Sequence, residues 1–254
     1  MSIKLAPASA GNLQLPGKFN YFSAHTKKIS KANNQDTINY TFNSQGYRCD
    51  EFENIKWSES ILALGCSVTQ GVGLDDKECW SYRLQEKTSI PVINLGQYGT
   101  SLYYHLYNLE ILQKYNPRYV IIQMPDPVRI TNFHKNGCEA LAWFNSSYKE
   151  QFAKEWKKGN FAEALTQQKN MHFMEIWTRD NNHMIYQTFA INYLRLLFPG
   201  KIFLFSMAAI WEELQDTYPV LDAYLTYDDC ARDYQHPGPK ANESWADYLS
   251  QAIF

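Results

Sequence analysis

Residues 61–73 read ILALGCSVTQGVG. Four apolar residues, Ile61–Leu64, run without a polar break into Gly65, as expected of a short strand buried on both faces. The nine residues that follow, Gly65-Cys66-Ser67-Val68-Thr69-Gln70-Gly71-Val72-Gly73, are spaced by glycine and carry hydroxyls. Glycine lets the chain turn sharply and leaves the Ser67 hydroxyl exposed at the carboxyl end of the strand. In an open parallel sheet, that end is where ligands bind. An ordinary turn into a helix, capped by Ser67 or Thr69, uses the same residues, and this stretch alone leaves both readings open.

Outward from this stretch, strands and helices alternate. Asp75 and Asp76 offer N-cap chemistry for a helix reaching about Lys87, and Pro91–Leu95 is a second strand. Thr100 or Ser101 can cap a helix whose Leu102, Leu106 and Leu109 share one face. Tyr119–Met124, entered through Asn116-Pro117, is a third strand. Ile185–Phe198 reads as a helix stopped by Pro199-Gly200, Ile202–Phe205 as a fourth strand, and Ala241–Ile253 as a last helix with Trp245, Leu249 and Ile253 aligned. Continuous apolar strands alternating with helices predict an α/β fold with a mainly parallel sheet and helices on both faces.

Two regions depart from this alternation. Residues 1–58 are polar and turn-rich, with one short strand near Ile38–Phe42, and read as an N-terminal arm or small β element before a domain spanning 59–254. Between Arg129 and Asn182, KEQFAKEWKKGNFAEALTQQ is predicted helical and is flanked by Trp143, Phe144, Phe173 and Trp177. The expectation is a helical insertion over about 130–182, either roofing one end of the sheet or completing the core.

Composition narrows the function. Of 254 residues, 45% are hydrophobic and 20% charged, so the chain can bury a full core. With 24 Lys+Arg against 26 Asp+Glu, no basic excess supports a nucleic-acid partner. No apolar run is long enough for a signal-peptide core or a spanning helix, so the expectation is a cytoplasmic protein without a membrane partner. Five scattered cysteines and six scattered histidines offer neither a disulfide framework nor a metal-ligand pattern. Tyr, Phe and Trp make up 15% of the chain, enough to line a groove as well as fill a core.

Two further places carry chemistry. Asp233-Tyr234-Gln235-His236-Pro237-Gly238 precedes the last helix. A serine needs a base near neutral pH, which His236 can be, and the imidazole needs an anion to orient it, which Asp233 can be. A capped surface turn gives the same spacing. Asn94-Leu95-Gly96-Gln97-Tyr98-Gly99-Thr100-Ser101 follows the second strand, where glycine can aim a backbone N–H at a developing oxyanion or simply make a tight turn.

Taken in order, Gly65-x-Ser67, Asn94-Leu95-Gly96-x-x-Gly99 and Asp233-x-x-His236-Pro237-Gly238 resemble the SGNH (GDSL-like) hydrolase family. The upstream Asn43-Ser44-Gln45-Gly46-Tyr47-Arg48 is similar to a segment that often precedes the nucleophile in that family. The resemblance runs from about Asn43 to the C-terminus. It implies a three-layer α/β/α sandwich on a five-stranded, flavodoxin-like parallel sheet. It implies Ser67 as nucleophile, His236 as base, Asp233 as orienting acid, the amides of Ser67 and Gly99 as oxyanion donors, and no metal or organic cofactor. Two positions depart from the family. Cys66 stands where an Asp is usual. The third block reads Gln123-Met124-Pro125-Asp126-Pro127, without the family's oxyanion Asn, so Gln123, Arg129 and Asn132 become candidates for that donor.

The function this implies is hydrolysis of a small carboxylic ester or an acylated glycan, with O-acetylated carbohydrate preferred. Acyl transfer to a sugar hydroxyl uses the same residues. A catalytically degenerate binding module is the reading from a different class. The strand-end variant is also similar to SGNH-like proteins of viruses infecting marine bacteria, which fits a virion-associated role. The joint presence of Ser67, Asp233 and His236 favours the enzyme.

Overall fold

Nearly every apolar run bounded by turn residues forms a strand in the computed structural model, which describes residues 17–20, 38–134, 137–141, 152–161, 164–165, 168, 172, 182–207, 221–232 and 236–254. In the arm, β1 (Gly17–Asn20) and β2 (Asn39–Phe42) pair antiparallel. Next come β3 (Ile61–Leu64), the short helix α1 (Ser67–Gln70), α2 (Trp80–Thr88), β4 (Val92–Asn94), α3 (Leu102–Leu112) and β5 (Tyr119–Gln123). After the hairpin of β6 (Ile130–His134) and β7 (Gly137–Leu141), the chain continues through α4 (Asn182–Leu197), β8 (Ile202–Ser206), β9 (Ala223–Tyr224) and α5 (Pro239–Ile253).

Five strands make one parallel sheet in the order β4-β3-β5-β8-β9. Side chains along a strand alternate between faces, and the buried strands use both. Leu62, Leu64, Val120, Ile122 and Leu204 pack on one side against Leu109 and Leu112 of α3 and Ile191 and Leu194 of α4. Ile61, Ala63, Ile121 and Phe205 pack on the other against Trp80 and Leu84 of α2 and Trp245 and Leu249 of α5. The result is the three-layer α/β/α sandwich expected from the sequence.

Numbered along the chain, the five strands lie in the order 2-1-3-4-5, one of the two common doubly wound arrangements. The connections leaving β3 and β5 therefore diverge, and a crevice opens between the carboxyl ends of these two strands. That switch point receives the Ser67 turn from β3 and the Gln123 end of β5.

The structure differs from the sequence expectation in three places. The region 130–182 does not open as a helix: β6 and β7 form an antiparallel hairpin, with Ile130 opposite Leu141 and Phe133 opposite Cys138. The signal for it was present in the β-branched and aromatic residues Ile130, Thr131 and Phe133 and in the Asn136-Gly137 pair. Helix is found at residues 152–157, whereas Trp143, Phe144, Phe173 and Trp177 lie outside the described residues. The fifth strand, β9, has two residues and no apolar run to announce it. The helix expected from Asp75 instead starts at Trp80, because Asp75 and Glu78 close a capping box around a 3-10 turn, Asp76–Glu78. Among the described residues no helix is long and apolar enough to cross a membrane.

Trp245 is fully buried, tilted against Phe205 of β8, and its indole N–H donates to the Thr226 carbonyl. Trp245→Ala is expected to cost about 3–5 kcal/mol in urea unfolding, the range for emptying an aromatic core site. Leu196→Ala, on the outer face of α4 with 78% of the residue exposed, is expected to stay within about 0.5 kcal/mol of the parent.

Candidate active site

The chain leaves β3 through Gly65 at φ 153, in the region that favours glycine. A Cβ there would run into the Thr69 hydroxyl and lie 2.8 Å from the Gln123 carbonyl. Cys66 then serves as N-cap, Ser67 begins α1, and Gly71 ends it in the left-handed conformation with its N–H on the carbonyls of Ser67 and Val68. Val72 N–H also donates to Ser67 O, so the turn closes tightly on the serine.

Ser67 is 6% exposed, and its Oγ lies 2.8 Å from His236 Nε2, although 169 residues separate the two. His236 is held by its backbone. Its carbonyl accepts from Ala231 N–H at 2.7 Å, Pro237 bridges to Cys230, and Gly238 N–H donates to Asp229 O. The Asp229 carboxylate accepts from the N–H groups of Lys240 and Ala241 in the first turn of α5. A Cβ on Gly238 would collide with that carboxylate, so glycine is needed there. Asp233, the predicted orienting acid, lies outside the described residues.

The turn after β4 is tied to the Ser67 turn. Gln97 N–H donates to Gly65 O at 2.9 Å, and Asn94 Nδ2 donates to Thr69 O at 2.7 Å while its Oδ1 accepts from Gly96 N–H. Gly96 packs on the backbone of Thr69 and Gln70 so closely that no side chain fits. Gly99 takes φ 70, and among the described residues neither its N–H nor that of Ser67 has an acceptor.

Behind this turn, His105 of α3 is fully buried, and its Nε2 lies 3.1 Å from Thr100 Oγ1. The Thr100 hydroxyl donates in turn to Gln97 O at 2.7 Å. Burial pushes the imidazole down to about 3, outweighing the opposing pull of the Gly65 backbone, and the ring is neutral at ordinary pH.

Of the three candidates for the missing oxyanion donor, Gln123 is committed elsewhere. Its Oε1 accepts from the Cys66 thiol at 3.4 Å and its Nε2 donates to Met124 O at 2.7 Å, which seals the Cys66 side of the turn. Among the described residues, Arg129 Nη1 is buried without a hydrogen-bond partner, and Asn132 stands on β6.

Two arginines escaped the sequence reading as parts of the site. Arg48 reaches the turn after α1 and donates to the carbonyls of Gln70, Gly71 and Leu74 at 2.8–2.9 Å. It was quoted as part of the upstream segment, but nothing in its spacing disclosed these acceptors. Arg232, four residues before His236, grips Glu78 with both terminal nitrogens.

No protein-family model matches the chain, and no curated protein matches it. Among solved structures, it is similar to a protein ascribed to the lipolytic G-D-S-L family from Desulfitobacterium hafniense DCB-2, with 14% identity, 76% of this chain and 99% of that chain covered, and a TM-score of 0.36. It is also similar to TesA (11%, 76% and 97%, 0.40) and to a carbohydrate acetylesterase family member from Sinorhizobium meliloti (11%, 77% and 97%, 0.36).

Because His105 protonates more readily in the unfolded chain than in the fold, the unfolded state binds more protons between about pH 6.5 and about 3. Its contribution to stability is therefore fully present above that window and lost as pH falls through it, with a slope of up to roughly 1.4 kcal/mol per pH unit. Urea unfolding of His105→Gln is expected to show a flatter decline than the parent between pH 6.5 and 4. An unchanged slope would place the acid sensitivity elsewhere.

Proposed function

We propose that this chain is a serine ester hydrolase of the SGNH type. The observation that carries the reading is the 2.8 Å separation of Ser67 Oγ and His236 Nε2 at the switch point of the sheet. A nucleophile within hydrogen-bond reach of a base is the arrangement that acyl transfer requires.

In this reading His236 Nε2 takes the Ser67 proton as Oγ attacks the ester carbonyl. The carbonyl π pair moves to oxygen, and the oxyanion accepts from the N–H groups of Ser67 and Gly99. Collapse breaks the C–O bond, and the alcohol leaves with the proton from His236. Water then attacks the Ser67 acyl-enzyme, passes a proton to His236, and the carboxylic acid leaves as Ser67 recovers that proton. Asp233 orients the imidazole and stabilises its cation. In this reading Cys66 is not the nucleophile: its thiol donates to Gln123 Oε1, and its sulfur lies 3.9 Å from Ser67 Oγ.

For substrate we favour a short acyl ester on a carbohydrate. Tyr98, half-exposed next to Gly99, and Tyr227, exposed on the strand-to-helix loop that leads to His236, offer faces on which a sugar ring can stack. A sugar hydroxyl in place of water in the second step would make the same site an acyltransferase.

Hydrolysis of 4-nitrophenyl acetate and release of acetate from acetylated xylan test this. Wild type is expected to turn over at least one of them. Ser67→Ala and His236→Gln are expected to lower kcat by at least about three orders of magnitude, and Asp233→Asn by about two to four. Turnover undiminished in Ser67→Ala, or a folded wild type inert to both esters, would overturn the reading.

A further inference from the structure

The 2.8 Å contact between Ser67 and His236 joins two loops that no strand pairing connects. On the serine side the segment from Gln70 to Leu74 is immobilised by Arg48, whose side chain is 3% exposed and lies 4.5 Å from the centre of the Tyr40 ring. The Tyr40 hydroxyl in turn accepts from Gly73 N–H at 2.7 Å. On the histidine side the same segment meets Arg232. Arg232 N–H and Nη1 both reach Gly73 O, at 3.3 and 3.4 Å. Its guanidinium forks onto Glu78, with Nη1 on Oε2 at 2.5 Å and Nη2 on Oε1 at 3.0 Å, while Asp75 Oδ2 stands 3.5 Å away.

We propose that Arg232 is a positioning residue: its two-pronged grip on Glu78 docks the His236 loop onto the Ser67 loop and so sets the reach of Nε2 to Oγ. The proposal rests on the serine hydrolase reading and adds a residue that the motifs do not contain.

Three features support it. The fork is bidentate, the geometry in which a guanidinium fixes orientation as well as distance. Glu78 is itself fixed, because it closes the capping box with Asp75: its Oε2 accepts from Asp75 N–H at 2.9 Å while its own backbone N–H meets the Asp75 side chain. The grip is also transmitted over a short path, since Arg232 follows Ala231, whose N–H holds the His236 carbonyl at 2.7 Å. Facing Glu78 are Arg232, Arg83 and the Asp75 backbone. Burial opposes ionisation of its carboxyl, but the hydrogen bonds from Arg232 and Asp75 and the charges of Arg232 and Arg83 outweigh it and hold the carboxyl below its ordinary range. The fork therefore stays charged at neutral pH.

Arg232 is about a third exposed, so its role separates from core stability. With 4-nitrophenyl acetate, Arg232→Ala is expected to lower kcat by about 10- to 100-fold, the scale of an ångström-level misplacement, with KM within about twofold. Arg232→Lys, which keeps the charge but not the fork, should recover only part of the loss. Glu78→Gln, which preserves shape and capping geometry, should lower kcat in the same sense, and the double variant should be no worse than the poorer single one. These values are read at 25 °C on protein whose thermal transition lies well above that temperature. A contact that merely stabilised the fold would lower the transition and leave kcat alone. Parental kcat in Arg232→Ala, or additive losses with Glu78→Gln, overturns the proposal; if Arg232→Ala does not fold, parental kcat in both Arg232→Lys and Glu78→Gln does so. A wild type that hydrolyses no ester instead overturns the reading on which it rests.

Discussion

The arrangement of the site depends on a cation buried behind it. Arg48 ends in a pocket of backbone carbonyls from Gln70, Gly71 and Leu74, with Asp76 at its edge and the Tyr40 ring over one face. The last carbonyls of a helix have no partners within it. Gly71 O also accepts from Leu74 N–H, but without the guanidinium the Gln70 and Leu74 carbonyls would lose their donor. The guanidinium supplies donors in a fixed fork, and the carbonyls in turn compensate a charge that burial would otherwise expel. Each makes the other tolerable. The α1 turn is thereby closed from behind, and Ser67 at its start faces the crevice.

This clamp also explains why the arm matters to the sheet domain. Tyr40 and Phe42 of β2 cluster with Ile38 and Val72, and Asn43 and Tyr47 fold the following turn so that Arg48 points inward. Tyr47 continues into the core through its hydroxyl contact with Tyr104 at 2.7 Å and the Asn108 amide at 3.0 Å. Residues 38–48 therefore act as a brace between the nucleophile turn and α3, although none belongs to the parallel sheet.

Much of the fold was legible because a parallel strand covered on both faces leaves an unambiguous trace. Ile61–Leu64 and Tyr119–Gln123 are continuous apolar runs, and helices such as α5 show their buried stripe directly in Trp245 and Leu249. Elements with little buried surface left no such trace. β9 is two residues held at the sheet edge by pairing with Phe205 and Ser206, and β6 and β7 pair with each other outside the main sheet. In the site, Ser67 and His236 were readable because nucleophile and base chemistry limits the residue types and places them beside glycine turns. Arg48, Asn94 and Arg232 were not readable in these roles. Their partners lie 13 to 157 residues away or are backbone atoms, which carry no sequence signal. The Gln123–Cys66 contact is of the same kind, joining residues 57 positions apart.

The central claim is that His236 activates Ser67. Its most direct measurement is reaction of the folded protein with a fluorophosphonate, which bonds covalently to an activated serine, followed by peptide mapping of the adduct. The account predicts a single adduct on Ser67 that is absent from Ser67→Ala and forms far more slowly in His236→Ala. An adduct on another residue, or equal labelling of Ser67 with and without the His236 imidazole, would contradict it.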